Sequence, residues 1–168
     1  LVVLTVNSNE AATLYNYGAE KVLTITNNAL NPFNAKIVAN IVKQAAEKES
    51  AKVVIIDSNA NGLYFAPMVA ANLNAGFASN VIALPSATSP FTVKRKTFSN
   101  KAFNNTQILT EIKVIALAKN AFGLFENKVS GTTEEFSPVL VDSNLVSTSI
   151  EQTSGKVTIA DADIVVSA

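Results

Sequence analysis

Few side chains in this sequence could carry out chemistry. The 168 residues include no histidine and no cysteine. These two residue types supply thiol nucleophiles, the usual zinc and haem ligands, and the imidazole base of a Ser-His-Asp triad. Carboxylates, lysines, tyrosines and serines remain. The sequence therefore excludes catalysis that uses His or Cys, and we predict no catalytic and no metal-binding residue.

Two pairs of acidic residues lie close together in the sequence. Glu134 and Glu135 are adjacent, and Asp161 and Asp163 are separated by one residue. Paired carboxylates can act as general acid and base when their environments differ. Glu134 and Glu135 fall in a polar segment, and Asp163 directly precedes an apolar run, where a turn or capping role is common. We expect both pairs to lie on the solvated surface.

Two polar loops follow predicted strands, where α/β proteins usually bind ligands. One loop covers residues 57–62 (DSNANG) and the other covers residues 26–31 (TNNALN). Neither contains the glycine pattern of a dinucleotide-binding or P-loop site. We expect plain turns at both places, with Gly62 as a turn residue, and no cofactor-binding residue.

A basic cluster, Lys94, Arg95 and Lys96, has Phe91 and Phe98 nearby. Basic and aromatic residues together can bind single-stranded nucleic acid. A β-hairpin with one solvated face is the simpler interpretation, since alternation places Lys94 and Lys96 on the same side. The 13 basic and 13 acidic residues of the chain cancel, which gives no electrostatic reason to expect nucleic acid. Docking of a protein partner is the better functional alternative.

The elements that position these residues read as a single globular domain. Apolar residues make up 48% of the chain and charged residues 15%, and no apolar run is long enough to span a membrane. In the first half, strands and helices alternate, which predicts βαβ units and a parallel sheet. The predicted strands are 1–6, 21–26 and 52–57; the predicted helices are 11–17, one that Asn31 caps and Pro32 opens, and one that runs to Asn74 and stops at Gly76.

The second half predicts additional short strands without helical periodicity. These strands are predicted at 81–84, 91–96, 101–106, 112–118 and, more weakly, 145–150, with a polar mobile loop at 126–135. The fold class is therefore α/β: a Rossmann-like, adenine-nucleotide-hydrolase-like layer of βαβ units with extra strands. Both ends of the sequence read as strands, and we expect a fragment of a longer protein.

Five short stretches, in order, carry a resemblance to a known family. They are 17–22 (YGAEKV), 67–73 (PMVAANL), 91–102 (FTVKRKTFSNKA), 119–123 (KNAFG) and 162–167 (ADIVVS). The order of these stretches resembles that of the amino-terminal domain of the electron-transfer flavoprotein α subunit. The sequence departs from the family pattern at five positions, Met68, Asn80, Phe98, Asn100 and Lys101, where the family commonly has Arg, Asp, Tyr, Gly and Asn. The family's first strand and first helix have no counterpart.

The resemblance implies a non-catalytic part of an electron carrier. Family members are heterodimers of α and β subunits that carry FAD mainly on the carboxyl-terminal domain of α, with AMP, where present, in β. They pass electrons from dehydrogenases, such as those acting on acyl-CoA, to a membrane quinone oxidoreductase or another acceptor. By this resemblance, residues 1–160 are a scaffold and docking domain and residues 161–168 begin the FAD-binding domain, so no FAD contact can be assigned to this sequence.

The same resemblance makes Arg95 and Phe98 the candidate contacts with the β subunit or the flavin domain. It implies no nucleic-acid partner, no direct membrane insertion, and a location in the bacterial cytoplasm, or in the mitochondrial matrix if the source is eukaryotic. Two alternatives stay open. One is a nucleotide-binding domain of the universal-stress or adenine-nucleotide-hydrolase type, and the other is a hydrolase or transferase that uses carboxylates.

Overall fold

Strands and helices alternate in the first half of the chain. The computed structural model describes residues 1–149, 159, 162 and 164–166. The first six elements are β1 (Val2–Val6), α1 (Ala11–Leu14), β2 (Lys21–Ile25), α2 (Ala35–Lys48), β3 (Val53–Asp57) and α3 (Ala60–Asn72). The remaining elements are strands: β4 (Gly76–Val81), β5 (Ala87–Thr88), β6 (Phe91–Thr97), β7 (Ala102–Ile108), β8 (Lys113–Leu117) and β9 (Thr132–Glu135). The predicted α/β fold class, with extra strands in the second half, is confirmed.

The strands form two sheets. The smaller sheet has the order β1-β2-β9, and its strands are parallel. The larger sheet has the order β3-β8-β4-β6-β5, with β7 paired to β6. Strands β3, β8 and β4 are parallel to one another, whereas β6 runs antiparallel to β4, β5 and β7. Parallel βαβ layers and an antiparallel hairpin are thus combined in one domain.

Helix α2 packs against both sheets. Its Ile41 lies in a buried cluster with Ile25 of the smaller sheet, and its Ala39 and Ala46 lie in another with Ile56 of the larger sheet. An apolar stripe along one side of a helix is the pattern that such packing requires. Contacts between α2 and α3 extend this layer over the larger sheet.

Contacts along α2 establish the direction of the neighbouring strands. Lys21, at the start of β2, donates a 2.7 Å hydrogen bond to Glu49, directly after α2. Ile25, at the other end of β2, packs with Ile41 nearer the start of α2. Strand β2 is therefore antiparallel to α2. Strand β3 leaves the same end of α2 at Val53 and returns along it, so β1, β2 and β3 run in one direction.

The opposite face of the larger sheet is covered by the β6–β7 hairpin. Ile115 of β8 is 4% exposed and packs in one cluster with Phe91 and Ile108. Val114 and Ala116, on the other face of β8, are fully buried against the helices. Strand β8 is therefore buried on both faces, as its run of aliphatic residues requires.

The predicted start of one helix and the predicted end of another are wrong. Helix α2 begins at Ala35, because the side chain of Asn34 accepts hydrogen bonds from the backbone N–H of Lys36 and Ile37. Asn31 and Pro32 lie before this cap. Helix α1 ends at Leu14, earlier than predicted. Asn31 and Pro32 match the residue preferences of a helix start. Asn34 forms the cap instead, because two backbone N–H groups of the first turn donate to its side chain.

The predictions around α3 and β4 also need correction. Residues 58–62 are not a separate turn, since Asn59 caps α3 and Gly62 lies within its first turn. Helix α3 ends at Asn72, and Gly76 begins β4 rather than stopping the helix. The strand predicted at 81–84 is wrong because Val81 is the last residue of β4. The polar residues before Val81 concealed the strand in the sequence.

Two predictions in the polar carboxyl-terminal third differ from the structure. The segment 126–135, predicted as a mobile loop, contains β9, which pairs with β2 at the edge of the smaller sheet. An edge strand tolerates polar residues, so its sequence lacks the apolar alternation of a half-buried strand. Residues 145–149 form no strand, and Ile150 lies outside the described residues.

Candidate functional site

The basic cluster lies on the β6–β7 hairpin, as predicted. The two strands pair from Phe91 opposite Ile108 to Thr97 opposite Ala102. The turn between them contains three consecutive residues with positive φ: Phe98 at 50°, Ser99 at 50° and Asn100 at 66°. The left-handed region is unfavourable for a bulky side chain such as Phe. The turn therefore holds Phe98 in a strained backbone conformation.

Lysine side chains cover the exposed aromatic rings of this hairpin. The Nζ atom of Lys94 lies 5.0 Å from the centroid of the Phe103 ring, and that of Lys101 lies 5.7 Å from the Phe98 ring. Phe98 is 79% exposed. In the part of the chain that the structure describes, no carboxylate forms an ion pair with the hairpin cations. The hairpin thus presents aromatic surface and uncompensated positive charge.

Arg95 occupies a different place from its lysine neighbours. Its Nη2 atom donates a 3.4 Å hydrogen bond to Ser79 Oγ, and its Nε atom is buried without a hydrogen-bond partner. The side chain is half-buried, next to β4. The structure therefore places the two predicted contact residues on one hairpin but not side by side: Arg95 lies along β4 and Phe98 at the turn.

The loop that follows β3 is used to start a helix. The backbone N–H of Gly62 donates a 2.8 Å hydrogen bond to Asn59 Oδ1. A Cβ atom at Gly62 would lie 1.8 Å from the carbonyl oxygen of Asp57, so only glycine fits this close approach. The close contact between β3 and α3 therefore explains the glycine at position 62, and a ligand loop is not needed to explain it.

Polar groups of the loop that follows β2 likewise form hydrogen bonds within the chain. Asn7 and Asn27 bond reciprocally: Asn7 Nδ2 donates to the Asn27 carbonyl at 3.0 Å, and the Asn27 N–H donates to Asn7 Oδ1 at 2.8 Å. The cavity beside this loop is about 110 Å³. Ligand sites are commonly ~300–1,000 Å³, so this cavity is too small for a nucleotide.

A larger cleft lies between β1 and β3. Its volume is about 520 Å³, and aliphatic side chains of both strands and of α2 dominate its walls, with Glu49 and Asp57 as the charged lining residues. A nucleotide diphosphate needs backbone N–H donors or cations around its phosphates. Two carboxylates in an apolar wall do the reverse, so the residues that line this cleft do not fit FAD or another dinucleotide.

Glu134 is held by ion pairs rather than solvated alone. Its carboxylate lies 2.8 Å from Lys21 Nζ and 2.6 Å from Lys48 Nζ. The hydrogen bonds from Lys21 and Lys48 lower the pKa of Glu134 to about 2. The hydrogen bond to Glu134, followed by the one to Glu49, raises the pKa of Lys21. A carboxylate that stays ionised in this way ties β9 to β2 and α2 and is unsuited to acid–base work.

Three further possibilities are a second acidic pair, a metal site and a membrane-spanning helix. Asp161 and Asp163 lie outside the described residues. Within the described part, no cluster of three or more His, Cys, Asp and Glu residues could hold a metal ion. No described helix has both the length and the apolar character needed to cross a bilayer.

Sequence reasoning missed an apolar loop after β8. Phe122 is 37% exposed, Leu124 86% and Phe125 80%. The alternation of apolar and polar residues could not identify this loop, because the segment forms no helix or strand. The signal available was its position, directly after a buried strand and at the resemblance stretch 119–123.

The strand order defines the class of protein: a largely parallel α/β domain with an antiparallel hairpin added to the larger sheet. Comparisons with known proteins agree. The family model "Electron transfer flavoprotein domain" matches residues 1–141. The chain is similar to the electron transfer flavoprotein subunit alpha of Bacillus subtilis (strain 168), with 28% identity over 160 residues, 93% of this chain and 49% of the relative.

The chain belongs to the electron transfer flavoprotein domain family, and the resemblance to its α subunit is confirmed. The chain spans about half the length of the curated relative that it matches.

Proposed function

We propose that this chain is the scaffold and docking domain of an electron-transfer flavoprotein α subunit. In the assembled heterodimer it packs against the β subunit and supports the flavin domain, while FAD is held by polypeptide outside the described residues and AMP, where present, by β. The carrier takes electrons from dehydrogenases, for example of the acyl-CoA type, and passes them to a quinone oxidoreductase or another acceptor. Its compartment is the bacterial cytoplasm, or the mitochondrial matrix in a eukaryote.

One observation carries this proposal. The chain matches the family model over residues 1–141, yet the cleft between β1 and β3 has apolar walls, two carboxylates and no phosphate cradle. A cleft with this lining fits a supporting role better than a cofactor-binding role. The same chemistry argues against the universal-stress or adenine-nucleotide-hydrolase alternative and against a carboxylate-based hydrolase.

The test is a visible absorption spectrum of the natural full-length subunit purified with its β partner. We expect the absorption bands of bound oxidised flavin and their loss on reduction. A colourless complex that takes up no added FAD would contradict the proposal. Calorimetric titration of residues 1–168 with AMP and ATP addresses the alternative, since micromolar binding would favour a nucleotide-binding domain.

We further propose that the hairpin contacts the partner through Phe98 and Arg95. A strained aromatic residue that is 79% exposed gains little from packing within this chain. Backbone strain of this kind costs about 1–3 kcal/mol and clusters at functional positions. A partner surface with an apolar patch and carboxylates would match the ring and the unpaired cations around it.

The substitution Phe98→Asn separates this role from a role in folding. Asn tolerates positive φ, so the isolated chain should become slightly more stable, while affinity for the β subunit should fall about tenfold or more if Phe98 is an anchor. Leu84→Asn serves as the matched control, because Leu84 is also largely exposed, at 78%, but lies outside the hairpin. Equal affinities of the two variants, measured by calorimetry, would remove Phe98 from the interface.

A further inference from the structure

Asn61 is the one asparagine of the 168 residues that is followed by glycine. The backbone nitrogen of the residue after an asparagine can attack the carbon of the side-chain amide. This attack is easiest before glycine, because no Cβ hinders the approach and the backbone reaches the required conformations at low cost. Asparagine counts among the thermolabile residue types. The sequence therefore contains a single Asn-Gly pair with high intrinsic reactivity.

The structure places this pair in the first turn of α3, with Asn61 exposed and Gly62 buried. The N–H of Gly62 donates the 2.8 Å hydrogen bond to Asn59 Oδ1, and the N–H of Leu63 donates to the Asn59 carbonyl at 3.0 Å. Attack requires that the Gly62 nitrogen loses its proton and that Asn61 leaves the helical range of ψ. The folded turn prevents both, so the reaction requires that the turn opens first.

A proline within α3 weakens the attachment of this first turn to the rest of the helix. Pro67 has no N–H, so it cannot donate a helix hydrogen bond to the carbonyl of Leu63, four residues earlier. The start of α3 is therefore held by fewer hydrogen bonds than the start of a regular helix. The Asn59 cap contributes a correspondingly larger share of the stability of this turn. Local opening can thus occur here without unfolding of the whole domain.

We propose that Asn61 is a deamidation site and that the Asn59 cap controls its reaction. When the turn opens, the nitrogen of Gly62 forms a bond to Asn61 Cγ and the bond from Cγ to the amide nitrogen breaks. Ammonia leaves with the proton of the Gly62 N–H. The cyclic imide that results then takes up one water. Hydrolysis at Cγ gives aspartate, hydrolysis at the main-chain carbonyl gives isoaspartate, and either product carries a new negative charge.

The two products differ in whether α3 can form again. Aspartate leaves the main chain unchanged, and a carboxylate in the first turn of a helix is favourable. Isoaspartate adds a methylene group to the main chain directly before Gly62. A Cβ atom at Gly62 would lie 1.8 Å from the Asp57 carbonyl oxygen, so the contact between α3 and β3 has no room for an added group. Conversion to isoaspartate therefore keeps the start of α3 open. None of this depends on the electron-transfer role.

The test follows deamidation in the natural polypeptide that contains these residues, with and without urea. Peptide mapping by mass spectrometry gives the rate at Asn61 and, as an internal reference, the rate at Asn120, which is exposed in a turn and precedes alanine. In urea we expect Asn61 to react faster than Asn120. In the folded protein we expect Asn61 to react at least about tenfold more slowly than in urea, with isoaspartate among the products. Equal rates at Asn61 under the two conditions would overturn the proposal.

Variants at the cap separate control by Asn59 from a general loss of stability. Asn59→Ala should accelerate the reaction at Asn61 in the folded protein about fivefold, the factor that loss of a typical cap predicts, without a change at Asn120. Asn59→Ser retains a capping oxygen and should leave the rate at Asn61 nearly unchanged. Asn34→Ala, which removes the cap of α2 in the same way, is the matched control and should not affect Asn61.

Pro67→Ala tests the same control in the opposite direction, in a variant that is not destabilised at the cap. It restores the missing helix hydrogen bond and should slow the reaction at Asn61 severalfold. An unchanged rate in either Asn59→Ala or Pro67→Ala would overturn the proposal. So would equal acceleration by Asn59→Ala and Asn34→Ala, or acceleration at Asn61 and Asn120 alike, because global unfolding would then set the rate.

Discussion

Strands β3 and β8 are neighbours of similar composition in one sheet, but they are buried to different extents. They pair in parallel, with Ile55 directly opposite Ile115. Ile115 is 4% exposed and Ile55 is 56% exposed. Both residues point to the face opposite the helices, where the hairpin covers β8 but not β3.

The difference between the two isoleucines teaches that residue type does not set burial by itself. An aliphatic run predicts a strand that can be buried on both faces, and the strand's position in the sheet decides whether it is. The stability contributed by each isoleucine should follow its surroundings rather than its hydrophobicity. This pair is a sensitive test because residue type, register and strand direction are matched.

The largest expected effect is the contrast between Ile115→Ala and Ile55→Ala. In residues 1–168, Ile115→Ala should lower the free energy of unfolding by about 2–4 kcal/mol, because it removes buried methyl groups and leaves a cavity. Ile55→Ala should cost less than about 1 kcal/mol. Urea unfolding followed by circular dichroism measures both. Similar costs for the two substitutions would show that Ile55 is covered already within this chain.

A second effect concerns the carboxyl end of β3, where it meets α3. Gly62→Ala would normally favour a helix by about 1 kcal/mol. Here the added Cβ would collide with the Asp57 carbonyl oxygen, and we expect a net loss of about 1–3 kcal/mol in the same unfolding assay. Ala60→Gly is a useful comparison, since it changes the same turn of the helix without adding an atom. A stabilising Gly62→Ala would mean that β3 and α3 can move apart at low cost.

A third effect concerns the edge of the smaller sheet. The pKa of Glu134 is about 2 in the folded chain, below its ordinary value of 4.5. A lowered carboxyl pKa contributes stability above pH 4.5 that is lost as the pH falls from 4.5 towards 2. Glu134→Gln should therefore lower the urea midpoint at neutral pH but not near pH 2. Glu135→Gln, on the other face of β9, is the control, and an equal loss from both would contradict a specific ion-pair role.

The smallest effect is expected at the hairpin turn. Asn100 has a φ of 66°, which glycine adopts without steric cost. Asn100→Gly should raise the thermal midpoint slightly, equivalent to a few tenths of a kcal/mol and no more than about 1 kcal/mol. Differential scanning calorimetry can resolve this change. Ala102→Gly, just inside β7, should act in the opposite direction, and matching shifts would argue against relief of strain.

Elements with strong apolar periodicity were predictable from the sequence, and elements set by tertiary contacts were not. The aliphatic run of β3 and the stripe on α2 identified both elements to within a few residues. Strand β9 was missed because its pairing with β2 and the Lys21–Glu134 contact are distant in sequence. The start of α2 was missed because two asparagines compete as caps, and only the geometry at Asn34 decides between them.

For the candidate site, the sequence predicted a β-hairpin and predicted that Lys94 and Lys96 lie on the same side of it. It did not predict the positive φ of Phe98 or the contact of Arg95 with Ser79 on β4, because both depend on how the turn and the neighbouring strand are arranged. The assignment of Arg95 and Phe98 to a partner interface stays a prediction. The cleft, too, became visible only once the two sheets were placed.

Helix α2 has a mechanical consequence for the domain. No strand pairing joins the two sheets within residues 1–149, whereas α2 packs on both. Helix α2 therefore sets the distance between the two sheets and, with it, the width of the cleft. A substitution that changes how α2 packs on one sheet would change that width even where no residue of β1 or β3 is altered.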